Sequence, residues 1–248
     1  MDKNYQIVIV STKKPEADYF TYDEFYKSLE GEEIINLGDW GMKGLSDRPR
    51  LLYRAIKEGR VNKKYTIFCD SWDLVFVDSP EIIIQKHLDF GNDVTISAER
   101  NSFPEDLKNE FDNLGTPTTY KYLNCGVIVG ETEMILKYLG DMDAENIQQD
   151  YWDVDHTVHI NEQLEYQKSF LRQPIKIGLD YMQDICWCMQ DVDMDEVLLS
   201  FKLNEESQPI GTEVRNKETK TFPSIIHWNG GSKSGNTMQP ILKHLKLR

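Results

Sequence analysis

Residues 66–80, TIFCDSWDLVFVDSP, set Asp70 and Asp73 into a run that otherwise reads as two buried strands. Two carboxylates close enough to share a site repel each other unless a cation lies between them. Hard divalent ions such as Mg²⁺ and Mn²⁺ take oxygen ligands and leave positions open for phosphate oxygens. A D-x-x-D at the exit of a central strand therefore suggests a bound nucleotide diphosphate, although the same spacing also serves turns and solvated caps. Far along the chain, SIIHWNGGSK puts His227 at the end of another apolar run, with Gly230, Gly231 and Lys233 behind it. An imidazole there could complete a metal shell of two carboxylates and one nitrogen, while the glycine turn lets backbone and Lys233 approach phosphate. A single histidine at a strand end is more often structural; paired with Asp70 and Asp73, it weighs toward a metal site.

The elements that must position these residues read as an alternating α/β chain. Residues 6–11 (QIVIVS) form a short β-branched run, the pattern of a strand buried on both faces. A crossover helix is expected over 13–29 and a second strand over 33–37. LGDWGMKG (37–44) with Trp40 reads as a loop beside the carboxyl ends of the strands, where open α/β sheets bind ligands. Asp47 is expected to cap a helix that ends at Gly59, and the strand over 64–69 delivers Asp70. Ser79 and Pro80 open the next helix. Strands follow at 93–97, 122–130, 176–179, 197–201 and 224–227, with helices at 132–139 and 161–171. The fold class is α/β, a Rossmann-like nucleotide-binding sheet with helices on both faces, read as a single domain over 1–248.

The 42 acidic and 28 basic side chains leave a formal charge of −14, which repels phosphate backbones and anionic lipid over most of the surface. Basic residues gather locally at Lys13 and Lys14, Arg48 and Arg50, 215–220 and 243–248, in no run long enough to force a nucleic-acid reading. Cys69, Cys125, Cys186 and Cys188 are expected as reduced, buried thiols in preference to a zinc site or a disulfide framework, because Cys-Trp-Cys lacks a second pair at zinc-ligand spacing. No run approaches the ~20 apolar residues of a membrane span, and a cytoplasmic location is expected.

Seven segments, in order, carry a resemblance: VSTKK (10–14), FCDSWDLVFVDSP (68–80), ISAERNSFP (96–104), YLNCGVIVG (122–130), NEQLEYQKSFL (161–171), IGLDYMQDIC (177–186) and IIHWNGGSK (225–233). In them the chain resembles the glycosyltransferase domain of procollagen lysyl hydroxylases and related collagen-type glycosyltransferases. The resemblance implies a GT-A fold holding Mn²⁺ (or Mg²⁺) against the diphosphate of a UDP-sugar. On that basis Asp70, Asp73 and His227 are the metal ligands, and Trp72 stacks on uracil. Thr12 matches a uridine-contacting threonine, Lys233 a phosphate-binding lysine beside Gly230, and Arg48, more loosely, a basic residue after a glycine-rich loop. Where the family shows Asp-Asp-Gln, this chain has Asn161-Glu162-Gln163. Glu162 can accept a proton or orient a hydroxyl, whereas Asn161 can only hydrogen-bond. Asn124 and Glu99 fall on matching segments and are expected to line the sugar pocket.

The implied activity moves a hexose from UDP-glucose or UDP-galactose to an acceptor hydroxyl, such as hydroxylysine or galactosyl-hydroxylysine. A hydroxylated base in viral DNA, a glycan acceptor, and an inactive UDP-sugar-binding accessory domain stand as alternatives, and a homodimer is allowed. His156 and His159 beside an acidic stretch suggest a second metal less well than a mobile acceptor loop, with Tyr151 and Trp152 as gate residues. Trp187 is expected in the core, and His87 and His244 on helices.

Overall fold

The computed structural model describes residues 3–11, 21–38, 42–152, 158–159 and 161–247, of which 152, 158, 159, 233 and 234 are described by their backbone alone. The apolar runs become strands: β1 (Tyr5–Ile9), β2 (Ile34–Asn36), β3 (Tyr65–Cys69), β4 (Leu74–Phe76), β5 (Val94–Glu99) and β6 (Tyr122–Glu131). Between them lie α1 (Tyr22–Ser28), α2 (Asp47–Lys57), α3 (Pro80–Phe90) and α4 (Lys108–Asp112). The second half adds α5 (Thr132–Asp141), β7 (Tyr151–Trp152), β8 (Val158–His159), α6 (Asn161–Arg172), β9 (Ile177–Asp180) and β10 (Cys186–Cys188). Then follow β11 (Val197–Leu203), β12 (Pro209–Asn216), β13 (Ile225–His227) and α7 (Met238–His244).

The main sheet runs β2-β1-β3-β6-β5-β9. It is mixed: β1 pairs in parallel with β2 and β3, while β6 runs antiparallel to both β3 and β5. Every residue of β1, β3 and β5 is buried, as continuous β-branched runs require when helices cover both faces. One face packs Val8, Phe68 and Ile128 against Leu52 of α2, Tyr138 of α5 and Tyr166 of α6. The other packs Ile7, Ile67 and Val129 against Phe25 of α1 and Ile83 of α3.

A smaller sheet, β10-β13-β4, stands beside this second face. It is short but it decides the site, because it lays the strand ending in His227 antiparallel to the strand that follows Asp73. Trp187, on β10, is wholly buried, as expected. His87 is buried on α3 with Nδ1 2.9 Å from Thr95 Oγ1, and His244 ends α7. All four cysteines are free of disulfides and buried.

Asp47 does not cap α2 as expected but opens it, behind Ser46; its carboxylate accepts from the Lys43 amide at 2.6 Å and pairs with Arg50, so it holds the preceding loop. Of the helix expected over 13–29, Tyr22–Ser28 is helical as α1, and residues 13–20 lie outside the described residues. No helix among the described residues is long and apolar enough to cross a membrane.

Candidate active site

At the end of β3 the chain leaves the sheet, and the Asp70 amide donates to the Gly126 carbonyl of β6 at 2.9 Å. Four residues later β4 begins, pairing Leu74 with His227, and the Trp228 amide donates to the Asp73 carbonyl at 2.7 Å. Backbone pairing alone therefore draws the two aspartates and the histidine together. His227 Nε2 lies 3.3 Å from Asp70 Oδ2 and 3.4 Å from Asp73 Oδ1, and the three ligand atoms fall within 4.8 Å of one another. Neither ring nitrogen of this buried histidine makes a hydrogen bond. Burial by itself would depress the imidazole pKa, but Asp73 and Asp70 outweigh it and hold the ring well above its ordinary value.

The residues fit a hard divalent ion. Two carboxylates and one imidazole converge, the mixed oxygen and nitrogen donor set that such an ion takes. Close approach of the ring depends on Gly126, where a Cβ would overlap the imidazole and lie 2.8 Å from both His227 Nδ1 and Asn124 Oδ1.

A cavity of about 840 Å³ opens from this cluster. Trp72 forms part of its wall, anchored by an Nε1 hydrogen bond to Ser11 Oγ at 2.8 Å, just past β1. Gly230 turns with φ +57°, a left-handed conformation suited to glycine, and a Cβ there would meet Gln190 Oε1 at 2.6 Å. That oxygen accepts from the Gly231 and Ser232 amides at 2.5 and 3.2 Å.

Close to this cluster Glu162, near the start of α6, is buried beside Arg48 of α2, with 3.1 Å between Glu162 Oε1 and Arg48 Nη1. The same guanidinium pairs with Asp70 Oδ1. Desolvation pushes Glu162 up to about 8, because the opposing pull of Arg48 is shared with Asp70, whose own charge adds to the rise. Arg48 thus bridges Asp70 and Glu162. Glu99, at the end of β5, accepts from Asn124 Nδ2 at 2.9 Å and Asn229 Nδ2 at 2.7 Å. Burial raises it to about 7 against those two hydrogen bonds.

Asp70, Asp73, His227, Trp72, Arg48, Glu99, Asn124, Glu162 and Gly230 all line the one cavity. Asn161 does not: its Nδ2 donates to the Gln149 carbonyl at 2.8 Å and its amide to Asp150 Oδ1 at 3.1 Å. Thr12, Trp40 and His156 lie outside the described residues, as do the side chains of Trp152, His159 and Lys233. Tyr151 is half exposed and lies apart from the cavity lining. Sequence reasoning passed over Ser11, Gln163, Gln190 and Asn229. Three of them adjoin residues it did select, Thr12, Glu162 and the glycine turn. Gln163 supports β6 from α6, its Oε1 accepting from the Cys125 amide at 3.1 Å.

Over residues 16–240 the chain matches the family described as the PLOD GT domain. Procollagen-lysine,2-oxoglutarate 5-dioxygenase 1 of Rattus norvegicus is 27% identical over 248 residues, covering 94% of this chain and 31% of that protein. The protein of the same name from Mus musculus gives the same figures. Multifunctional procollagen lysine hydroxylase and glycosyltransferase LH3 of Homo sapiens is 27% identical over 172 residues, 67% of this chain and 20% of that protein. The chain therefore spans about a third or less of the length of these relatives. With the mixed α/β sheet and its flanking helices, the match bears out the resemblance drawn from the seven segments: the chain belongs to the PLOD GT domain family, a family of glycosyltransferase domains.

Proposed function

We propose that this chain is a metal-dependent transferase that moves a hexose from UDP-glucose or UDP-galactose to an acceptor hydroxyl, with hydroxylysine or galactosyl-hydroxylysine as the acceptor class. The observation that carries the reading is the convergence of Asp70, Asp73 and His227 beside Trp72, on the wall of a cavity that can hold a sugar nucleotide. Mn²⁺ or Mg²⁺ held by those three residues would neutralise the charge that grows on the departing diphosphate. Trp72 presents a broad π face to the uracil, and its bond to Ser11 fixes the plane of the ring. At the glycine turn a phosphate oxygen takes the place of Gln190 Oε1 on the Gly231 and Ser232 amides, with Lys233 adding its charge. Glu162, held beside Arg48 on the cavity wall, is placed to orient the acceptor's hydroxyl, and burial raises its carboxyl out of the usual carboxylate range. The hydrogen-bonded row Asn124, Glu99 and Asn229 suits the hydroxyls of a hexose. A relative named as both procollagen lysine hydroxylase and glycosyltransferase supports the acceptor class.

The test is UDP release from a panel of UDP-sugars without acceptor, in Mn²⁺ and in EDTA. One donor is expected to release UDP in Mn²⁺ alone, and Asp73→Ala to lower the rate by about a hundredfold or more, the loss of several kcal/mol of charge stabilisation. UDP binding without release from any donor would overturn the reading in favour of an accessory domain, which the amide at Asn161 would accommodate.

A further inference from the structure

His227 has a second set of neighbours. On β10, Cys186 and Cys188 are two residues apart and share one face of the strand, while Trp187 points to the other. β10 runs parallel to β13 with Cys188 opposite His227 and Cys186 opposite Ile225. One ligand atom from each of Cys186, Cys188 and His227 falls within 4.8 Å of the other two. All three side chains are at least 98% buried. Both thiols are free of disulfides.

We propose that Cys186, Cys188 and His227 form a capture site for a thiophilic divalent cation, Zn²⁺ foremost, that competes for His227 with the Asp70–Asp73 site. Two thiolates and an imidazole are the donor set that Zn²⁺ takes in tetrahedral sites, with the fourth position left to water or a carboxylate. Mn²⁺ and Mg²⁺ prefer the oxygen ligands of the Asp70–Asp73 pair. A neutral imidazole offers one lone pair, so the ring can serve one cation at a time. An ion held by the thiols therefore deprives the carboxylate pair of its nitrogen ligand. Burial keeps both thiols protonated in the free chain, and capture releases their protons. Binding at the thiols stands independently of the transferase reading; the inhibition that follows rests on it.

Titration of the whole protein with Co²⁺ as the probe tests the site, because cobalt bound to thiolates absorbs in the near ultraviolet and cobalt bound only to carboxylates and imidazole does not. The expected result is thiolate-to-cobalt absorption saturating at one ion per chain, abolished by stoichiometric Zn²⁺, absent from the C186S/C188S double variant and retained in Cys69→Ser. Cys188→Ala, which removes little volume, should halve the absorption if the double variant does not fold. In the UDP-release assay, Zn²⁺ should inhibit in competition with Mn²⁺, with at least tenfold less potency against the double variant. A folded protein with four titratable thiols and no thiolate absorption would overturn the proposal, as would absorption that survives loss of both cysteines or is undiminished in Cys188→Ala. If no donor releases UDP, the transferase reading fails while the cobalt spectrum still decides the capture site.

Discussion

In the metal-free chain the charge of Asp70 and Asp73 is answered by two cations of different kinds, the guanidinium of Arg48 and the proton on His227. Only the proton can give way to a metal, because arginine does not deprotonate in proteins. Binding of Mn²⁺ near pH 7 is therefore expected to release close to one proton, readable as a calorimetric heat that varies with the ionisation enthalpy of the buffer. Heats independent of buffer would mean that His227 is already neutral. For folding, the stabilisation that His227 draws from its carboxylates is fully present below its unfolded value of 6.5 and is lost as pH climbs through the elevated folded value. Glu99 also binds its proton more tightly when folded, rising from 4.5 to about 7, so the metal-free protein loses stability from this group as pH rises through that window. Glu99→Gln keeps the shape and removes the titration. Its melting temperature relative to wild type should therefore improve between about pH 5 and about pH 8. A difference that stays constant across that range would show that Glu99 does not carry the shift.

Each candidate metal ligand stands at a strand boundary, Asp70 after β3, Asp73 before β4 and His227 at the end of β13. The element that holds them at one distance is β6, whose Gly126 accepts the Asp70 amide and leaves room for the His227 ring. Gly126→Ala should push the imidazole off its position and weaken Mn²⁺ binding at least tenfold, while overpacking lowers stability by about 1–3 kcal/mol. Equilibrium metal binding and a denaturant melt on the same variant separate the two effects; unchanged affinity would mean that the ring is held from elsewhere. The strands that carry Asp70 and His227 were legible because unbroken β-branched runs have one interpretation in an α/β chain. β10 escaped notice because three residues, CWC, are too few to show a period. β12 escaped because PIGTEVRN opens with proline and glycine and buries only Val214 and Asn216. Arg48 was picked out as a basic donor-site residue after a glycine-rich loop, yet its pairing with both Asp70 and Glu162 arises only when α2 packs beside α6, a contact between residues more than a hundred positions apart. The two cysteines beside His227 were hidden for the same reason, since their partner comes from a strand some forty residues away.

At the scale of the molecule, charge decides which partners can approach. The chain carries a formal −14, and the described lining of the cavity includes five carboxyl groups, Asp70, Asp73, Glu99, Glu105 and Glu162, while its two cationic groups, the Arg48 guanidinium and the His227 imidazole, are already engaged by carboxylates. On the proposed reading a nucleotide diphosphate would add further negative charge to that field, and a divalent cation is expected to be a condition of its binding. The same field acts on the acceptor. A nucleic-acid strand brings a phosphate with every residue and relies on several basic contacts for affinity, contacts that the described lining does not offer. Phe103, exposed on the cavity's lining, and the acidic groups around it favour an acceptor whose hydroxyl sits on a neutral or cationic frame. The protein is accordingly expected to pass through single-stranded and double-stranded DNA columns unretained even at about 50 mM salt, where phosphate contacts are strong. UDP release should likewise be indifferent to added DNA. Retention that falls away steeply with salt would locate a basic surface outside this cavity and return a hydroxylated nucleobase to the front of the acceptor classes.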